Sequence, residues 1–141
     1  MTIQEKAKLV VDEFSIFDDW MDKYSFLIEL GKELPLIDGK YKNETHVISG
    51  CQSRVWLHAE EKNGIVKFTA DSDAVITKGI ISLLISVLSG SSPSEIITAN
   101  FDFLDEIGLK SHLSPSRANG LVSMIKQMQL YARALELKRN A

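Results

Sequence analysis

Val55-Trp56-Leu57-His58-Ala59-Glu60-Glu61-Lys62-Asn63-Gly64-Ile65-Val66-Lys67-Phe68-Thr69-Ala70 is the stretch that decides the fold. Val55, Leu57 and Ala59 alternate with Trp56, His58 and Glu60, and Val66, Phe68 and Ala70 alternate with Lys67 and Thr69. Two period-two runs joined by Asn-Gly predict a β-hairpin, because both turn residues tolerate positive φ. An earlier extended piece, residues 45–48, is expected to add a third antiparallel strand, with Cys51 at the turn that follows it.

Outside this stretch the period changes to that of helices. Thr2-Ile3-Gln4-Glu5 reads as a capping box, followed by the stripe Ile3, Ala7, Val10, Val11 and Phe14. A second helix begins after Asp18 or Asp19, with Trp20, Tyr24, Leu27, Ile28 and Leu30 on its apolar face and Gly31 near its end. Pro35 and Asp38-Gly39 break the pattern, so residues 34–42 read as loop. Asp71, Ser72 and Asp73 offer caps for a helix over residues 74–88, closed by Gly90. Ser92-Pro93-Ser94-Glu95 opens a short helix, and Phe101, Phe103, Leu104 and Ile107 form another short apolar element ended by Gly108. Ser114 caps a final helix with Pro115 at its first position, and Leu121, Met124, Ile125, Met128, Ala132 and Leu135 mark its core side. The prediction is one α+β domain over residues 1–141: a small antiparallel sheet of about three strands, packed on one side by helices from both ends of the chain.

Composition narrows the function classes. The chain has 141 residues, 45% apolar and 25% charged, with a net charge of −3. That balance argues against nucleic acid as a partner, since phosphate neutralisation needs clustered Lys and Arg. The most apolar run, residues 79–88, is too short for lipid, which requires about 20 residues, and it predicts a buried helix. No membrane association is expected. The first residues carry no apolar signal core, and a cytoplasmic location fits a lone thiol.

The chain holds one cysteine, Cys51, within Val47-Ile48-Ser49-Gly50-Cys51-Gln52-Ser53-Arg54. An intrachain disulfide, a Cys-x-x-Cys pair and a cysteine-rich metal cage are thereby excluded. Two readings remain for the thiol: a nucleophile on a loop tip, where Gly50 permits a sharp turn and Arg54 favours the thiolate, or a buried small hydrophobe. His46, His58 and His112 are the only histidines, so a Cys-His hydrolase or transferase would draw on His46 or His58. A zinc site would need three or four ligands, which one Cys with scattered His and Asp does not supply. Asp71 and Asp73 read as caps before paired catalytic carboxylates. Arg117 stands in the first turn of the last helix, against the helix dipole, which points to an anionic partner or an internal carboxylate.

Several segments, in order, resemble the SufE family of sulfur acceptors. They are Leu27-Ile28-Glu29-Leu30-Gly31-Lys32, Ile48-Ser49-Gly50-Cys51-Gln52-Ser53-Arg54-Val55-Trp56-Leu57, Ala70-Asp71-Ser72-Asp73-Ala74, Lys78-Gly79-Ile80 and His112-Leu113-Ser114-Pro115-Ser116-Arg117-Ala118-Asn119-Gly120-Leu121. The likeness runs from Asp19 to Ala134, with a variable stretch over residues 89–105 where Ser89-Gly90-Ser91-Ser92 departs from the family pattern. The resemblance implies a fold similar to IscU-type scaffolds and a role in iron–sulfur cluster assembly. Cys51 matches the family's acceptor cysteine, which takes persulfide sulfur from a SufS-like cysteine desulfurase, stimulates that enzyme, and passes the sulfur to a SufBCD-type scaffold. Gly50, Gln52, Ser53, Asp73 and Arg117 match positions expected to shape the acceptor loop or the partner surface. No cofactor of its own is implied; the pyridoxal phosphate belongs to the desulfurase, and the carrier is expected as a monomer or weak homodimer. A cluster needs about four ligands, mostly thiolates, so one thiol fits a carrier and not a scaffold.

Overall fold

The computed structural model describes residues 1–140. Its helices are α1 (Ile3–Phe14), α2 (Trp20–Lys32), α3 (Val75–Leu88), α4 (Pro93–Ile97), α5 (Asp102–Glu106) and α6 (Pro115–Arg139). Strands β1 (Val55–Lys62) and β2 (Ile65–Ser72) lie between α2 and α3.

The hairpin forms as its alternation requires. β1 and β2 pair antiparallel from Val55↔Ser72 to Lys62↔Ile65. The two turn residues take φ 55° at Asn63 and 84° at Gly64, the mirror-image turn that matches strand twist. Val55, Leu57, Ala59, Val66, Phe68 and Ala70 are buried on one face. The opposite face carries Trp56, His58, Glu60, Lys67 and Thr69, none of them buried.

The expected third strand is corrected by the structure: the sheet has two strands. The preceding segment touches β1 through a single bridge, Val47↔Trp56. Two hydrogen bonds hold it, Ile48 N–H to the Val55 carbonyl at 2.8 Å and Leu57 N–H to the His46 carbonyl at 2.9 Å. Gly50, at φ 92°, then turns the chain away before a ladder develops. Residues 34–42, read as loop, do contain one 3₁₀ turn, Gly39–Tyr41.

α3 is the centre of the molecule. It packs against β2, α1, α2 and α6, and Thr77, Gly79–Ile85, Val87 and Leu88 are all buried. A helix apolar all round can only survive inside such a cover. Where α2 crosses it, Gly79 faces Leu27 so closely that a Cβ there would overlap the Leu27 carbonyl oxygen. Ser82, buried on α3, donates to the Leu30 carbonyl at 2.7 Å.

Caps stop and start the helices largely where the sequence places them. Thr2 with Glu5 and Ser92 with Glu95 form capping boxes, and Asp19 and Ser114 accept from Asp22 and Arg117 backbone N–H groups. The start of α3 differs. β2 runs on through Ser72, and Ala74 stands at the N-cap without a side-chain hydrogen bond. Asp71, Ser72 and Asp73 are thereby released from capping and bond to other parts of the chain.

Candidate functional site

Cys51 lies on the loop between the Val47 bridge and β1, against the N-terminal part of α6. Gly50 makes this possible, and Gly120 presents an open helix face to the thiol. A side chain on Gly50 would collide with the Ser123 hydroxyl, and its positive φ is strained for any L-residue. Gly120 leaves its side of α6 bare, so Cys51 Sγ rests 3.5 Å from the point a Cβ would occupy. The thiol donates a weak hydrogen bond to the Gly120 carbonyl at 3.7 Å.

The sulfur is half-buried and opens onto a cavity of about 300 Å³. Gln52, Ser53 and Arg117 line it beside Cys51, and Thr77, Ile80 and Met124 contribute from α3 and α6. Among the described residues the exposed Arg117 guanidinium has no hydrogen bond or ion pair, so it stands as a free cation at the site. Burial pushes the Cys51 thiol above its ordinary range. At neutral pH it therefore rests as S–H, which is a poor nucleophile.

The role expected of Arg54 is corrected. Three residues beyond Cys51 in sequence, it does not line the cavity, and its guanidinium reaches Glu44 at 3.7 Å. Its backbone matters more. Arg54 N–H donates to Asp73 Oδ1 at 3.1 Å, and its carbonyl accepts from the Ser72 hydroxyl at 2.8 Å. Asp73 and Ser72 thus fix the exit of the Cys51 loop. Asp71 binds Lys42 at 3.0 Å and Lys78 at 3.3 Å. Burial opposes ionisation of that carboxyl, but hydrogen bonds from Lys42, the Ser72 N–H and Lys78 overcome it and hold its pKa down.

Among the described residues no histidine lines the Cys51 cavity. His46 and His58 contact each other, Nε2 to Nδ1 at 3.1 Å, on the outer face of the hairpin. His112 stacks on Trp20 with ring centres 4.1 Å apart. The Cys-His arrangement required by a hydrolase is not assembled. Among the described residues no three His, Cys, Asp or Glu side chains converge as metal ligands, and no helix is long and apolar enough to cross a membrane.

Residues 8–132 match the family model SufE, the Fe-S metabolism associated domain. The chain belongs to the SufE family. An uncharacterised SufE-like protein of Rhizobium etli is 38% identical over 125 residues, covering 85% of this chain and 84% of that one. The SufE-like protein 1, chloroplastic/mitochondrial, of Arabidopsis thaliana is 41% identical over 136 residues; those are 94% of this chain and 36% of the longer plant protein. In shape, the solution structure of a hypothetical protein from Thermus thermophilus superposes with a TM-score of 0.76 at 23% identity, covering 92% of this chain and 94% of that one. That match supports the fold alone. Membership places this SufE domain in iron–sulfur metabolism.

Of the site residues read from sequence, Cys51, Gln52, Ser53 and Arg117 meet at the cavity, while Gly50 and Asp73 shape the loop around it. Thr77, Ile80, Ser116, Gly120 and Met124 complete the lining, and sequence reasoning does not single them out for it. Their spacing carries a faint signal: Thr77 and Ile80, and Arg117, Gly120 and Met124, recur at i, i+3 and i+7 on one helix face. Gly120 inside a long helix is the stronger one, since glycine there costs about 1 kcal/mol relative to alanine.

Proposed function

We infer that this protein accepts sulfur on Cys51 from the persulfide of a SufS-like cysteine desulfurase and passes it to a SufBCD-type scaffold. In the transfer, the Cys51 thiolate attacks the terminal sulfur of the donor's Cys–S–SH. A new S–S bond forms at Cys51, the donor's S–S bond breaks, and the electron pair leaves on the donor thiolate. No net oxidation occurs. Emptying the donor cysteine permits its next turnover, which makes the carrier an activator as well.

One observation carries this reading: the sole thiol of a SufE-family chain opens onto a cavity with a free arginine and no general base of its own. A partner must therefore supply the electrophile and assist the proton's departure. Docking draws the thiol off the Gly120 carbonyl, so Cys51 is expected to alkylate faster with the desulfurase present than without it.

The decisive experiment incubates the protein with desulfurase, pyridoxal phosphate and cysteine and weighs it intact. A gain of one sulfur atom at Cys51, removed by reductant and absent in Cys51→Ser, is the expected result. A Cys51→Ser protein that still relays sulfur overturns the proposal. Arg117→Ala is expected to fold with stability within about 0.5 kcal/mol of the parent, as for other exposed positions, yet to take up sulfur more slowly. Unchanged uptake removes Arg117 from the site.

A further inference from the structure

Behind the acceptor loop, on the outer face of β1, four side chains form one hydrogen-bonded row: Asn43, His46, His58 and Glu60. The Asn43 amide is oriented by its neighbours, its Nδ2 donating to the Lys40 carbonyl at 3.0 Å and its Oδ1 accepting from Thr45 N–H at 3.1 Å. His46 Nδ1 lies 2.9 Å from that oxygen and 3.1 Å from the Thr45 hydroxyl oxygen, whose own hydrogen goes to Asn43 Oδ1 at 2.6 Å, so Nδ1 faces two acceptors and carries a hydrogen. At the other end His58 Nε2 lies 3.0 Å from a Glu60 carboxylate oxygen and must also carry one. Between them His46 Nε2 and His58 Nδ1 face each other at 3.1 Å, a contact that is attractive only with one proton in the gap. The count is then three ring hydrogens for two imidazoles, one more than two neutral rings hold.

We propose that His46 and His58 share this extra proton, and that the shared proton latches residues 41–48 onto β1 and so holds the loop leading to Cys51 in its sheltered position. Tyr41 closes the row by stacking on His58, ring centres 3.8 Å apart at 10°. Losing the proton leaves two lone pairs opposed across the gap; adding another leaves two N–H groups opposed. The latch is therefore closed only between the two titrations and opens on either side. Burial and the neighbouring His58 charge lower the affinity of His46 for a proton, which defends the acid side.

The charges facing the row come from three directions. Asp38 and Lys40 belong to its own segment, and Glu60 on β1 lies opposite Lys67 on β2. From α6, Lys138 and Arg139 approach, Arg139 being engaged by Glu61 at 3.4 Å. Among the described residues Glu60 is the one carboxylate in hydrogen-bond contact with the pair. Cys51 follows His46 closely in the chain, and the backbone bonds at His46 and Ile48 are the last before the Gly50 turn. The link to Cys51 rests on the acceptor reading above; the latch itself does not.

Imidazole ¹⁵N spectra and amide exchange at Thr45–Ile48, recorded on the whole protein from about pH 5 to about pH 9 with no sulfur donor, test it across the histidine range. The two rings are expected to titrate as a coupled pair. Protection, corrected for intrinsic exchange, should peak where the pair holds one extra proton and fall about tenfold as that proton leaves, a loss of about 1.4 kcal/mol. His58→Phe keeps the stack on Tyr41 but cannot share a proton, so its protection should be low and flat. Asn43→Asp should move the alkaline release upward, and serves if the phenylalanine variant does not fold. Independent titrations, or protection that ignores them, overturn the latch. If Cys51 alkylation per thiolate fails to follow the same profile, the connection to the acceptor loop falls, whether or not Cys51 accepts sulfur.

Discussion

Gly31 and Gly79 let α2 and α3 meet backbone to backbone; Gly50 turns the Cys51 loop onto α6, where Gly120 leaves the helix face bare. The first contact sits deep in the molecule. A Cβ at Gly79 would lie 2.8 Å from the Leu27 carbonyl carbon, and one at Gly31 would lie 3.0 Å from the Gly79 nitrogen. α3 cannot give, because it carries the core on its other faces, and α2 meets it with backbone atoms that have no rotamer to change. The second contact is made with soft partners, a serine side chain and a cysteine side chain. The same residue type thus serves rigidity in one place and a displaceable seat for sulfur in the other.

Gly79→Ala attacks the rigid contact and should have the largest effect. Forcing two packed helices apart costs about 3 kcal/mol, the upper range for overpacking. Chemical denaturation should show a shift of that order. A loss below about 0.5 kcal/mol would mean that α2 and α3 slide freely, and the contrast with the acceptor loop would vanish.

Gly50→Ala comes next. The Ser123 hydroxyl can swing aside, so the cost is chiefly the backbone at φ 92°, about 1–2 kcal/mol. That strain is relieved by loosening the loop, so Cys51 should alkylate about tenfold faster than in the parent, the ratio corresponding to about 1.4 kcal/mol. The parent sets the baseline through its acidity. Burial raises the folded thiol's pKa above the unfolded value, so the folded state holds its proton longer. The thiol's contribution to stability is complete below the ordinary cysteine range and is lost as pH rises through the raised value. Alkylation of the folded parent should therefore begin at higher pH than alkylation of the denatured chain. Coincident profiles would show that the seat does not shelter the sulfur.

The hairpin, the buried α3 and most caps are legible in the sequence because each depends on residues near one another along the chain. Asn63-Gly64 sets its turn whatever surrounds it. The third strand misleads, since residues 45–48 look extended but the number of ladder bonds depends on where Gly50 turns the chain. Asp71 to Asp73 read as caps because nothing local tells a strand end from a helix start; their partners, Lys42 and Arg54, come from elsewhere in the chain. Phe26 likewise escapes a sequence reading, its place set by an edge contact with Phe14 and a tilted one with Phe17 across the α1–α2 junction. At the site, Cys51 and its loop stand out in the sequence, while the cavity lining does not. Thr77, Ile80, Gly120 and Met124 arrive from two helices, and their convergence is a property of the packed fold.

Gly120→Ala sharpens the contrast most finely, although its effect is the smallest. The added methyl would meet only Cys51, at 3.5 Å from Sγ, 3.9 Å from Cα and 4.0 Å from Cβ, all ordinary contacts. Alanine therefore fits the resting thiol, and its better helix propensity should stabilise the reduced protein by up to about 1 kcal/mol. A residue that weakens its own helix without relieving a clash must be explained by a state other than the resting one. On the sulfur-acceptor proposal a loaded Cys51 would carry a second sulfur, and the bare face of α6 beside the cavity would give that atom room. The expected outcome is a variant that melts slightly higher when reduced yet accepts sulfur more slowly, with the loss appearing in the yield of persulfide and not in folding. Acceptance at the parent rate, together with the gain in stability, would show that the space at Gly120 serves only the packing of the empty loop.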